Sequence, residues 1–348
     1  ALTSLKMSKL IRKYNYKKIL LIGVLLSSVS TWMMSYSRSV YLFYILGILR
    51  GIGVGIGGMV PITVIITNWF DEKHGLATGL ALSFSGLAGA IFSPLLSSWI
   101  ISYGWQMTYR LMASCIPILV LPVLIVPWKI NPQEEGMLPY GYQEKKDTIK
   151  IQNKKVNLIT ISFICMCIFT LLHTSITGIS QHLSGIALSI HLSATSGAIL
   201  MSLTMIGNIS TKLLIGFLSD LLNPIKAVII MILANCFSLG LLFLGVIHQE
   251  IMLLYIGSFM FGSIYSVGAV GIPMLTHYFF GNENYARTYS FVGFLTNVGS
   301  ASSLTLIGYL YDFTQSYQMV FIIALCFHII NLILLTVIYS RYNSLGEK

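Results

Sequence analysis

The sequence predicts an all-α transmembrane protein, and three observations carry this prediction. Of the 348 residues, 55% are hydrophobic and 9% are charged, a composition typical of polytopic membrane proteins. Apolar runs of about 20 residues, the length of a helix that crosses a bilayer, recur along the chain. The Lys and Arg residues also collect on one side of the topology that these runs impose. A soluble enzyme is therefore excluded.

The apolar runs predict about ten membrane-spanning helices. None of them contains an Asp or Glu residue, which is expected for segments that face hydrocarbon. The predicted spans are 19–37, 39–66, 75–101, 107–128, 157–180, 194–218, 226–247, 251–275, 287–309 and 319–340.

The positive charges predict the orientation of these spans. Threading them alternately places 17 of the 21 Lys and Arg residues on one face. Arg38 and Arg110 fall on the opposite face, and Arg50 and Lys212 remain inside spans. Because positive residues are retained on the cytoplasmic side, we expect a cell-membrane protein with both termini in the cytoplasm. The stretch from Ala1 to Lys18 would form the end of a helix and a basic cytoplasmic loop, and the net charge of +10 would reflect topology rather than binding of nucleic acid.

A polar segment rich in Lys and Glu divides the chain into two halves. We predict an N-terminal helical bundle with four full spans over 1–128, a cytoplasmic central linker over 129–156 and a C-terminal six-helix bundle over 157–348. The two halves resemble each other, because each has an aromatic pair, a polar loop and then a helix rich in Gly and Ser. Internal repeats of this kind are found in many secondary transporters.

Several motifs follow one another in a characteristic order. They are GILRGIGVGIGG at Gly47 to Gly58, NWFDEKHGLATGL at Asn68 to Leu80, EEGMLPYG at Glu134 to Gly141, NISTKLLIGFLSD at Asn208 to Asp220, and the loop residues Gly216, Leu218, Asp220 and Lys226. Together they resemble the major facilitator superfamily, and within it the oxalate/formate antiporter and monocarboxylate transporter group. The resemblance implies a two-bundle fold of twelve helices around a substrate site near the midplane. About ten of the twelve are expected here, with the first two family helices absent.

Lys212 is the leading candidate for a substrate-binding residue, because a cation inside a span is costly and is retained mainly for function. Thr204, Asn208, Lys212 and Gly216 are four residues apart and share one helix face. With no carboxylate in any predicted span, an anionic substrate would neutralise Lys212, and Asn208 would add a hydrogen bond. The alternative is a side chain that bends to the cytoplasmic boundary, roughly 9 Å away.

Four other intramembrane residues are candidates, three for substrate binding and one for proton coupling. Arg50 is the second cation inside a span, and the alternative is that it lies near the outer half of the membrane and pairs with one of the two absent family helices. Tyr265 and Asn297 are candidates for lining the substrate cavity, although Tyr265 also suits simple packing. His173 is a candidate for proton coupling, and the alternative is a hydrogen-bonded packing residue.

A second group of residues predicts gating or close packing of helices. Asp220 is expected to approach the helix that begins at Gly75, where exposed amides and the helix dipole favour a carboxylate. It would act there as a cytoplasmic latch together with Gly216 and Lys226. Gly47, Gly51 and Gly55 are expected to let their helix pack closely. Their neighbourhood also matches GxGxxG, but no strand precedes it and a dinucleotide site is excluded.

We therefore predict a secondary active transporter of a small organic anion, with a monocarboxylate favoured. It would work by alternating access, as a symporter or an antiporter, and as a monomer in the lipid bilayer. A coupled proton is the second expected partner. We expect no catalytic residues, no metal and no cofactor. The alternatives are an exporter of amphipathic compounds and a truncated membrane protein that does not transport.

Overall fold

The computed structural model describes residues 2–142 and 160–346, and nearly all of them are helical. Short turns separate most of the helices, and a 3-10 turn follows α5. The helices are α1 (Leu2–Lys13), α2 (Tyr16–Met34), α3 (Val40–Ile56), α4 (Met59–Trp69), α5 (His74–Ile125), α6 (Ile161–Thr174), α7 (Ile179–Ser189), α8 (Ala194–Leu221), α9 (Pro224–His248), α10 (Ile251–Phe261), α11 (Ser263–Ser266), α12 (Ile272–Thr314) and α13 (Gln318–Gly346).

The all-α transmembrane class is confirmed, with fewer separate spans than predicted. Eight helical segments among the described residues are long and apolar enough to cross a membrane, against ten in the sequence analysis. One of them, Ile251–Thr314, contains two predicted spans, and 74–97 is not among the eight. The sequence predicts a loop within each of the ranges covered by α5 and α12. Both segments are instead helical, and each is broken at a single glycine, Gly104 (φ 77°) in α5 and Gly281 (φ 70°) in α12. Glycine adopts such positive φ angles without strain, so the chain bends there without a loop.

Two further boundaries differ from the predictions. The basic N-terminal stretch is helical as far as Lys13, and only Tyr14 and Asn15 separate α1 from α2. The predicted loop is wrong here because cations in the last turn of a helix stabilise it. Asn15 then caps α2, since its side chain accepts a hydrogen bond from the Lys17 amide at 3.0 Å. The second predicted span breaks at Gly57 and Gly58 into α3 and α4.

The chain forms two compact units. The N-terminal unit comprises 1–72, 88–142 and 289–294, and the C-terminal unit comprises 73–87, 143–288 and 295–348. The first turns of α5 therefore group with the C-terminal half of the chain.

Close packing in the N-terminal unit depends on Gly53. A Cβ atom there would lie 2.6 Å from the Gly23 carbonyl oxygen and 2.7 Å from the Ser27 nitrogen. Gly55 lies against Thr3, but among the described residues nothing lies within 4 Å of a Cβ placed at Gly47 or Gly51. In this part of the chain α3 packs against α2 through Gly53, which is about 200° around the helix from Gly51, and the predicted packing through Gly47 and Gly51 is not seen there.

The beginning of the predicted linker folds onto the loop that follows α4. The Trp69 indole donates to the Lys129 carbonyl at 3.1 Å, and the Asn68 amide donates to the Asn131 side chain at 2.8 Å. The Tyr140 amide donates to the Trp69 carbonyl at 2.8 Å. The remainder of the linker prediction, 143–156, lies outside the described residues.

The C-terminal unit has a large apolar core and very close helix contacts. Leu183, Leu200 and Phe321 are among the fully buried members of this core. A Cβ at Gly207 would lie 1.9 Å from the Phe259 carbonyl oxygen, and one at Gly262 would lie 2.2 Å from the Gly207 carbonyl carbon. α8 and the end of α10 therefore meet backbone to backbone, as small residues permit inside membranes.

Alanine substitutions in α3 test this packing. Gly53→Ala should lower the free energy of unfolding by about 1–3 kcal/mol, because backbone atoms cannot move away from the added methyl group. Gly51→Ala, in the same helix, should be neutral or stabilising by up to about 1 kcal/mol, because alanine favours helix and meets no neighbour. Thermal unfolding in one detergent compares the two variants. Equal loss in both would contradict the assignment of the packed face.

Candidate functional site

Glycines bring the first turns of α5 into backbone contact with α8. A Cβ at Gly79 would lie 2.5 Å from the Lys212 carbonyl oxygen, and one at Gly216 would lie 2.5 Å from the Gly75 carbonyl oxygen. A Cβ at Gly86 would lie 2.6 Å from Ile209. Any larger side chain at these positions would push the two helices apart. The glycines therefore set the distance between α5 and α8.

Lys212 ends inside this interface. Its side chain is 2% exposed, and its Nζ donates to the Leu82 carbonyl at 3.1 Å and to the Ser85 hydroxyl at 2.7 Å. The ammonium group therefore does not extend to an aqueous boundary. Both acceptors are neutral, and among the described residues no carboxylate pairs with Lys212. An ammonium has three N–H donors, so one remains for a further acceptor.

Asn208 lies one turn before Lys212 on the same face of α8 and is 5% exposed. Its Nδ2 faces the Met205 sulfur at 4.0 Å, a weak contact, and its Oδ1 has no hydrogen-bond partner in the described part of the chain. Leaving a buried polar atom unsatisfied costs about 1–3 kcal/mol. Asn208 and Lys212 thus offer unused hydrogen-bonding capacity on one helix face.

The Asp220 carboxylate joins the end of α8 to the start of α5. Its Oδ1 accepts from the Gly75 amide at 2.9 Å, and its Oδ2 accepts from the Leu76 amide at 2.8 Å. Amides in a first helical turn have no partner within their own helix. The carboxylate is disfavoured by the dipole of α8 and favoured by that of α5. Asp220, Gly216 and Gly75 therefore lie together, and the latch function of Asp220 stays a prediction.

His173 belongs to a buried polar cluster with His328 and Asn235. The His173 Nε2 lies 3.0 Å from the Ile264 carbonyl oxygen, and the His328 Nε2 lies 2.7 Å from the Asn235 Oδ1. Because these oxygens only accept, each Nε2 carries a proton. Neither Nδ1 has a hydrogen-bond partner among the described residues, and the ring centroids are 5.7 Å apart.

Asn331 lies one turn after His328 in α13. It is fully buried, and neither atom of its side-chain amide has a partner in the described ranges. Sequence reasoning missed Asn235, His328 and Asn331, although each is a polar side chain inside an apolar span. That signal marks intramembrane functional candidates in general, and within this cluster it was applied to His173 alone.

The other predicted site residues are dispersed. The Tyr265 hydroxyl lies 2.5 Å from the Ser180 hydroxyl, and Asn297 is exposed. The Lys226 side chain is exposed, while its amide donates to Asn223 at the start of α9. Arg50, like Gly51 and Gly55, belongs to the N-terminal unit, and its buried Nε has no partner among the residues described. No group of three His, Cys, Asp or Glu side chains in the described part of the chain could hold a metal ion.

Membrane-spanning helices with buried polar side chains, and an internal repeat, define the class of membrane transport proteins. The chain belongs to the Major Facilitator Superfamily, whose family model matches residues 1–189 and 158–346. It is a multi-pass membrane transporter and not an enzyme.

Individual relatives agree with this family. The chain is 26% identical over 332 residues to the uncharacterized transporter YcxA of Bacillus subtilis, covering 91% of this chain and 76% of the relative. It is 25% identical to monocarboxylate transporter 12 of Xenopus laevis, covering 88% and 70%. The fucose:proton symporter FucP of E. coli has the same fold, with a TM-score of 0.70, 13% identity and coverage of 97% and 87%.

One substitution applied at two sites tests the buried polar cluster. Asn235→Leu should cost about 2 kcal/mol or more of unfolding free energy, because it removes a partner from both His328 and Ser263. Asn331→Leu should be neutral or stabilising, because the amide it removes has no partner among the described residues. Thermal unfolding in lipid nanodiscs compares the two variants. Equal destabilisation would show that Asn331 is held by a bound group.

The Asp220 contact is tested by hydrogen exchange. Asp220→Ala should speed amide exchange in peptides that cover 73–80, because the Gly75 and Leu76 amides lose their acceptor. Asp220→Asn should have an intermediate effect, since it keeps one acceptor oxygen but removes the charge that interacts with the helix dipole, a term of about 0.3–1 kcal/mol. Asp312→Ala, an exposed acid near the end of α12, is the control. Unchanged exchange in Asp220→Ala would contradict the contact.

Proposed function

We propose that this transporter carries a small organic anion by alternating access, with a monocarboxylate as the leading substrate class. The observation that carries the proposal is the Lys212 ammonium, which is buried with two neutral acceptors and a third, unused donor. Within the superfamily, the proposal assigns the chain to the oxalate/formate antiporter and monocarboxylate transporter group.

The charge at Lys212 supports a substrate with one negative charge. A buried cation without a counterion carries an effective desolvation penalty of several kcal/mol. A carboxylate that reaches the third N–H would remove the net charge, and Asn208 would bind a second polar atom of the substrate. A dianion would leave one charge uncompensated in the same place. The similarity to a monocarboxylate transporter agrees with this substrate class.

The remaining predicted residues have supporting functions in this proposal. The protein would consist of two bundles, with both termini in the cytoplasm. Asp220, with Gly75, Gly216 and Lys226, would hold the cytoplasmic side of the transporter closed in one state. His173 would accept the coupled proton. Arg50, Tyr265 and Asn297 would line the path of the substrate, and the protein would work as a monomer.

A substitution series at Lys212 tests the proposal in proteoliposome counterflow with labelled lactate, formate, oxalate and a lipophilic cation. Lys212→Met should reduce carboxylate uptake at least tenfold, because it keeps most of the length of the side chain and removes its charge. Lys212→Arg should keep part of the uptake. Ser85→Ala should lower it less than fivefold, because it removes one acceptor of the ammonium and no charge.

Two comparisons make this experiment decisive. Lys13→Met removes an exposed cation from α1 and should leave uptake unchanged. Wild-type uptake by Lys212→Met would contradict the proposal. The alternative is an exporter of amphipathic compounds, supported by the buried Arg50 Nε, which has no partner among the described residues. Transport of the lipophilic cation that depends on Arg50, together with no carboxylate transport, would favour this exporter.

A further inference from the structure

Arg38 and Arg110 lie in one polar cleft of the N-terminal unit. The cleft has a volume of about 450 Å³ and is lined by the turn between α2 and α3 and by the segment of α5 that follows the Gly104 bend. These two arginines are also the only Lys or Arg residues that the charge sorting places on the face opposite the cytoplasm. They are 72 positions apart in the sequence, so their proximity is a result of the fold.

The Arg110 guanidinium is held in a fixed orientation. Its Nε donates to the Ser35 hydroxyl at 3.2 Å, and its Cζ lies 4.3 Å from the centre of the Tyr36 ring. Ser35 is itself buried, with 4% of its surface exposed. The hydrogen bond uses Nε only, so the two terminal NH₂ groups remain for an acceptor. A guanidinium with a fixed plane binds oxyanions through two parallel hydrogen bonds.

No carboxylate in this unit is placed to neutralise the pair. The acids of the N-terminal unit are Asp71, Glu72, Glu134 and Glu135, and all lie in the α4–α5 connection or the linker that folds onto it. Arg38 is exposed and has no hydrogen-bond or ionic partner among the described residues. Two like charges in one cleft repel each other, and a bound anion would remove this repulsion.

The aromatic side chains around the cleft indicate its depth in the membrane. Tyr36, Tyr103 and Trp105 are 59%, 63% and 42% exposed, respectively. Exposed Tyr and Trp residues concentrate at the level of lipid headgroups. The cleft therefore opens where phospholipid phosphates and dissolved anions both have access.

We propose that the Arg38 and Arg110 cleft is a binding site for a phosphate-type oxyanion, supplied by a phospholipid headgroup or by a free anion. The two guanidinium groups bind the oxyanion from two sides, and Ser35 and Tyr36 position Arg110. The site does not involve Lys212, which belongs to the other unit, and it stands independently of the proposed transport function.

The test uses the full chain with Lys212→Met in its background, so that binding at Lys212 does not contribute. Inorganic phosphate binding to delipidated protein in neutral detergent is measured by calorimetry. Retention of phosphatidylglycerol from a mixture with phosphatidylethanolamine is measured by native mass spectrometry. The variants are Arg38→Gln, Arg110→Gln, the double variant, Arg110→Lys and the control Lys13→Gln.

Each single Gln variant should weaken binding at least tenfold, and the double variant should abolish it. Arg110→Lys should keep less than a third of the affinity, because lysine lacks the planar fork. Lys13→Gln should bind like its parent. Loss of lipid retention alone identifies a headgroup site, and loss of phosphate binding alone identifies a free-anion site. A double variant that folds, by its melting temperature, and keeps both activities would overturn the proposal.

Discussion

The backbone contact between the first turns of α5 and α8 is the constraint on which the candidate site depends. Gly75, Gly79 and Gly216 allow the two helices to approach until carbonyl oxygens lie 2.5–2.7 Å from where a Cβ would be. The approach encloses Lys212 and directs its ammonium to Leu82 and Ser85. It also aligns the start of α5 with Asp220, so one contact determines the surroundings of both charges.

The two charges are satisfied in different ways. Asp220 is exposed and accepts two backbone amides that need acceptors, so its interactions are complete without a ligand. Lys212 is buried and has neutral partners only. A carboxylate within a span would have satisfied it, but the predicted spans contain none. A cation in this condition is costly in a stable protein, and the anion binding proposed above would give a physical reason for its presence.

Sequence reasoning predicted the features of the fold that depend on bilayer thickness and on charge. The all-α class and most span positions followed from the length of apolar runs, because a helix must be about 20 residues long to cross the hydrocarbon. The position of Asp220 followed from the repeat and from the exposed amides of a helix start. Helix boundaries at Gly104 and Gly281 did not, because a single glycine can bend a helix without the polar loop that sequence reasoning looks for. The packed face of α3 was also missed, since Gly51 and Gly53 look equivalent in a glycine-rich run and only the position of α2 distinguishes them.

The buried polar residues that sequence reasoning missed depend on contacts between positions far apart in the sequence. The hydrogen bonds of the buried polar groups distinguish those with a structural function from those available for another function. Thr204 donates to the Ser258 carbonyl at 3.0 Å, and Ser238 donates to the Gly257 carbonyl at 2.7 Å, so these hydroxyls join helices and need nothing else. The Asn208 Oδ1, the Asn331 side-chain amide and both His Nδ1 atoms are also buried, yet they have no partners among the described residues. Each such atom costs about 1–3 kcal/mol when left unpaired. Apolar residues of similar volume would fit these positions without that cost, so the retention of the polar groups points to ligands, protons or water that interact with them during transport.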